Sequence, residues 1–146
     1  MNYKLMNYKK SLFAVIVMML AVVGFAGASQ NIPPIPRTLS NARFVYVAAY
    51  DGDQFSPNLL QDDRMAIARV QDRIQKWGKL TIVYRPEDAD IILLVQSRPT
   101  EDVLALYDAH GSWSTYLWRV MSRGGFQQGE VPLVSQFEKA WAKITN

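Results

Sequence analysis

The apolar positions of this chain fall into three kinds of run, and each kind specifies a different element. From Gln61 to Trp77 they recur at Ile67, Val70, Ile74 and Trp77, three to four residues apart, which lines one face of a helix. Asp62 and Asp63 open this segment and Lys76 closes it, as the helix dipole favours, while Asp72 and Lys76 form an i,i+4 pair. Gly78 supplies a stop. Pro132 opens a second helix in which Val134, Phe137, Trp141 and Ile144 repeat the pattern, with Lys139 and Lys143 toward its C-terminal end.

The second kind of run is short and rich in Val, Ile, Leu and Tyr. Segments 44–50, 80–84, 90–96, 103–109 and 115–120 read as strands. Ile91 to Val95 is apolar throughout, so both faces of that strand need cover and it belongs at the centre of a sheet. Turns are marked by Asp51-Gly52-Asp53, Ser56-Pro57-Asn58, Arg85-Pro86-Glu87-Asp88, the hairpin loop 110–114 and the Gly-rich stretch 122–130. The order β-α-β-β-β-β-α predicts an α+β fold. We expect a two-layer sandwich with a mixed sheet of about five strands and both helices on one face. The first strand, helix and second strand should form a right-handed crossover.

The third kind is the uncharged run from Leu12 to Val23. Lys4, Lys9 and Lys10 precede it, and Ala26-Gly27-Ala28 follows with small residues at the positions a signal peptidase reads. Residues 1–28 are therefore expected to be a signal peptide cleaved after Ala28. The competing reading is an uncleaved anchor, since Leu12 to Ala28 approaches the length of a membrane span, but no basic flank follows it. Met-Asn-Tyr-Lys occurs at 1–4 and again at 6–9, so the signal survives a start at Met6. Residues 29–42, with Pro33, Pro34 and Pro36, read as a Pro-rich linker, and 43–146 as a single domain. The product would be periplasmic or secreted, with no permanent membrane anchor. With no cysteine in the chain, the lipoprotein route, disulfides, thiol nucleophiles and Cys-based zinc sites are all closed.

Removing the leader changes the charge. The chain has 16 Lys+Arg against 13 Asp+Glu, a formal +3, and the three extra cations are Lys4, Lys9 and Lys10. Beyond Ala28 the two signs balance. Nucleic acid is accordingly not an expected partner, because its binding rests on clustered cations that neutralise phosphate.

Four sets of residues are candidates for chemistry. Asp108, His110 and Ser112 are the residue types of a hydrolase triad, and His110 is the only histidine. Residues two apart on an extended chain stand about 6.6 Å apart, however, whereas triad partners sit near 3 Å. Asp51 and Asp53 sketch a calcium loop, but Phe55 occupies the third ligand position and Asp62 the twelfth. Glu87, Asp88 and Asp90 could pair carboxylates as glycosidases do, or simply build a turn. Around the hairpin, Tyr107, Trp113, Tyr116 and Trp118 gather aromatic surface, and Trp113, Tyr116 and Trp118 are the candidate binding residues. On a strand, Tyr116 and Trp118 would share a face; packed inward that face is core, and left exposed it would suit a sugar ring, a peptide or a protein partner, while Trp113 falls at the loop tip. No motif asks for a cofactor: Gly124-Gly125 lacks the lysine of a phosphate loop.

Tyr50-Asp51-Gly52-Asp53, Ala68-Arg69-Val70-Gln71-Asp72, Lys76-Trp77-Gly78, Tyr84 to Asp90 and Leu117-Trp118-Arg119 resemble a group of small exported proteins of soil bacteria to which no activity is attached. Ala89-Asp90 entering an apolar strand is also similar to the small α/β domains of bacterial envelope lipoproteins and of the periplasmic Tol protein. That likeness implies fold alone. The expectation for function is a non-enzymatic exported module that binds an envelope protein or a glycan. The alternatives are a small secreted hydrolase using His110 with nearby carboxylates, and a carbohydrate-binding module.

Overall fold

The computed structural model describes residues 31–112 and 115–146; the expected leader and Trp113 lie outside the described residues. The elements run β1 (Phe44–Ala49), α1 (Gln61–Trp77), β2 (Thr81–Val83), β3 (Ile91–Ser97), β4 (Asp102–Asp108), β5 (Trp118–Ser122) and α2 (Pro132–Thr145). This is the expected order, and the fold is α+β with a five-stranded mixed sheet. The sheet order is β2-β1-β3-β4-β5. β1 pairs in parallel with β2 and with β3, while β3–β4 and β4–β5 are antiparallel. Two parallel neighbours cannot be joined by a tight turn, so β1 reaches β2 through α1.

Strand alternation divides the sheet between two clusters. Val45, Val47, Ile91, Leu93, Val95, Leu104, Leu106, Trp118 and Val120 point to one face. There they meet Ile67, Val70 and Ile74 of α1 and Leu133, Val134, Phe137 and Trp141 of α2. Phe137 is the hub of this layer, with ring centroids 6.0 Å from Trp77, 5.7 Å from Trp118 and 5.4 Å from Trp141. Such edge and tilted contacts add about 0.5–1.5 kcal/mol each beyond area burial. The other face carries Tyr46, Ala48, Ile92, Leu94, Ala105 and Tyr107. The register lines up Val83, Tyr46, Ile92 and Tyr107 in one row. β3 is buried on both faces from Ile91 to Val95, as its unbroken apolar run requires.

Three local features depart from the sequence expectation. First, the packed unit begins at Ile32, not near Arg43. Ile35 and Leu39 of the presumed linker are core residues, and Trp118 Nε1 donates to the Pro33 carbonyl at 2.8 Å. Prolines that lower the cost of ordering hold this arm extended, and its two apolar side chains then repay docking. Second, β4 ends at Asp108 and β5 starts at Trp118, so residues 115–117 lie outside the strand expected to include them. Third, Val131 caps α2 with φ 44°, a left-handed conformation that a β-branched residue before proline rarely adopts. Its side chain is buried in the core, which holds it there. α1 ends as expected on Gly78, at φ 70°, whose N–H bonds the Ile74 carbonyl.

Candidate binding surface

In an open sheet of this order, the loops at the C-terminal ends of β1 and β3 flank the point where connections diverge, a frequent place for ligands. Here that position is filled by the protein's own charges. Asp63, in the first turn of α1 and 1% exposed, accepts Arg98 Nη1 at 2.8 and 2.9 Å and the Ser97 N–H at 2.7 Å. Arg98 Nη2 reaches on to Asp51 at 3.1 Å. Beside this network, Asp102 accepts Ser97 Oγ at 2.7 Å and the Phe126 N–H at 3.2 Å. Arg69 in turn donates to the Phe126 carbonyl at 2.7 Å, tying α1 to the Gly-rich loop. These contacts lock loops to strands and leave the buried carboxylates occupied.

The acidic candidates are engaged in the same way. Asp53 accepts the Phe55 N–H and Ser56 Oγ, both at 3.0 Å, and Tyr46 Oη at 3.3 Å. Burial opposes its ionisation, but these hydrogen bonds outweigh burial and hold its pKa below the usual value. Burial, followed by the charge of Asp53, pushes the Tyr46 phenol up to about 12. Asp51 turns away toward Arg98, so the two aspartates share no focus. Among the described residues no group of three or more His, Cys, Asp or Glu is placed to hold a metal ion. Glu87 and Asp88 are turn residues of Pro86–Asp88, and both lie near Arg85. Asp90 accepts the backbone N–H groups of Arg43 and Phe44 at 2.8 and 2.9 Å, which hold its pKa low against partial burial.

The triad residues are not assembled as a triad. Asp108 Oδ1 accepts the backbone N–H of His110 at 2.9 Å, a turn bond, and does not orient the imidazole. The His110 side chain is 72% exposed, with Nε2 4.0 Å from Asp90 Oδ1. Ser112 is exposed.

The aromatic candidates separate. Trp118 is 2% exposed and belongs to the core, which corrects its assignment as a binding residue. Because β5 begins at Trp118, Tyr116 precedes the strand and does not share its face with Trp118; its side chain is 50% exposed. Arg119 Cζ sits 5.8 Å from the centre of the Tyr116 ring, within cation–π range. Tyr50, exposed at the end of β1, bonds Tyr107 Oη at 3.2 Å across the sheet. Partial burial of the phenol and then that bond push Tyr50 up to about 12, while the nearby Arg119 charge opposes the rise. Leu117 and Met121 are also exposed. Tyr116 to Met121 and Pro33 line a groove of about 440 Å³ along the outer side of β5.

Tyr50, Leu117, Arg119 and Met121 were not singled out by sequence. The available signal was alternation: once Trp118 and Val120 are assigned to the core, Arg119 and Met121 must face away from it. A second groove, of about 350 Å³, lies between α1 and the loop before α2. Its cations are engaged, Arg73 with Glu138 at 2.7 Å and Lys76 with Asp72 at 2.7 Å. The chain matches no protein-family model, no curated protein and no solved structure.

Proposed function

We propose that this chain is an exported, non-enzymatic binding module of the cell envelope, and that it engages its partner through the β5 corner. The observation that carries the reading is the contrast between the polar and apolar groups. Buried carboxylates are occupied by structural bonds, whereas large apolar side chains at Tyr116, Leu117 and Met121 stand exposed beside a groove and a cation. Interfaces draw on such aromatic, Met and Arg groups far more than on Lys, Glu or Asp. Export rests on the charged, apolar and small-residue parts of segment 1–28. Among the described residues no helix is long and apolar enough to cross a membrane.

The test is photocrosslinking in the producing cell. A photoreactive side chain at position 116 or 121 should give a discrete adduct, and the same group at the exposed positions Phe55 and Tyr84 should not. Absence of adducts at 116 and 121, with the protein folded and exported, overturns the assignment. A glycan in the adduct would favour the carbohydrate-binding alternative over a protein partner.

A further inference from the structure

We propose that the occupant of the β5 groove is an extended, acidic peptide segment that adds to the sheet as a sixth strand. This rests on the binding surface assigned above and names its ligand. Among the described residues β5 pairs with β4 alone and forms one edge of the sheet, so its outer side offers backbone donors and acceptors that no described strand takes up. The groove runs along this side from Tyr116 to Met121, with Pro33 beside it, which suits an extended chain. The other edge, β2, has three residues against the five of β5 and presents a shorter template.

Charge selects the occupant. Among the described residues Arg119 has no carboxylate partner; its guanidinium lies over the Tyr116 ring and near the Tyr50 phenol. Arg123, exposed just past the end of β5, has none either. The other arginines near the core are bonded: Arg69, Arg73, Arg98. A second copy of this chain would be a poor occupant. Antiparallel pairing of two β5 strands about Val120 sets Arg119 opposite Met121 but brings the two Arg119 side chains into diagonal contact on one face. A strand with acidic residues at alternate positions places its carboxylates on the Arg119 face and its apolar residues on the Trp118 and Val120 face.

The probe is a blocked seven-residue peptide alternating valine with glutamate, titrated into the purified chain and followed by calorimetry and backbone amide NMR. Saturable shifts are expected in residues 116–123 and in β4, with none in β2. Replacing glutamate by lysine should weaken binding at least tenfold. N-methylation at alternate peptide bonds should abolish it. Arg119→Glu should reverse the preference between the glutamate and lysine peptides while leaving the circular dichroism spectrum unchanged. Equal binding of a scrambled or N-methylated peptide, shifts centred elsewhere, or no binding overturns strand addition. If the peptide fails while adducts persist at positions 116 and 121, strand addition falls and the binding surface stands. If both fail, both fall.

Discussion

Arg98→Met removes the cation that compensates the most deeply buried carboxylate described. Asp63 would keep the Ser97 N–H at 2.7 Å but lose both contacts to Arg98 Nη1, and Asp51 would lose its partner at 3.1 Å. Removing one member of a fully buried pair costs about 3–5 kcal/mol. The Arg98 side chain is 30% exposed, so water relieves part of the penalty and the low end, roughly 3 kcal/mol, applies. The exposed Asp51 contact adds little. At about 4 °C per kcal/mol for a unit of this size, the melting temperature should fall by roughly 12 °C. Urea unfolding measures the loss directly, with the m value unchanged if the fold is intact. The double variant Asp63→Asn, Arg98→Met is the decisive comparison. Asparagine still accepts the Ser97 N–H without burying a charge, so it should recover at least about 1 kcal/mol relative to Arg98→Met alone. A cost below about 1 kcal/mol for Arg98→Met, or a double variant less stable than the single, would refute the reasoning.

Four further outcomes follow from the same contacts. Trp118→Phe loses the bond to the Pro33 carbonyl and part of the Phe137 contact, and limited proteolysis should then cut near residues 32–39 before cutting elsewhere. Gly125→Ala should cost several-fold more in denaturant unfolding than Gly78→Ala. A Cβ on Gly125 would lie 2.4 Å from Leu133 Cγ, whereas at Gly78 nothing lies within 4 Å and only the φ of 70°, worth about 1 kcal/mol, is at stake. Asp90 has a folded pKa below its unfolded value near 3.9, so its stabilisation is complete above that value and is lost as pH falls through the folded pKa. Asp90→Asn should therefore flatten the acid limb of the stability–pH curve without changing its slope at neutral pH. Tyr116→Ala should leave the melting temperature within about 2 °C, since its ring is half exposed and packs beside the exposed Arg119 guanidinium, outside the core.

The fold was legible because its periodic signals are clean. α1 runs from Gln61 to Trp77 as its apolar spacing and glycine stop require, and the unbroken Ile91–Val95 run is the central strand. Strand order was not legible, since pairing is set by contacts distant in sequence. The onset of β5 was misplaced because Thr, Tyr and Leu at 115–117 carry strand propensity that the chain does not use. An earlier onset puts Trp118 and Tyr116 on one face, whereas the indole closes the core against Phe137 and the phenol stays exposed. Asp63 reads as a dipole-complementing residue at a helix start. Yet it stands four residues before Ile67 on the buried stripe, and an acid on that stripe demands a cation from elsewhere in the chain. Arg98 as that cation was invisible, because 35 residues separate the two.

The anchoring of the arm at Ile35 and Pro33 ties the stability of the sheet to residues that lie before its first strand. Ile35 and Leu39 fill the helix-side core and the Pro33 carbonyl receives the Trp118 indole, so a chain trimmed to start at Arg43 would open the core beside β5 and strand a buried N–H.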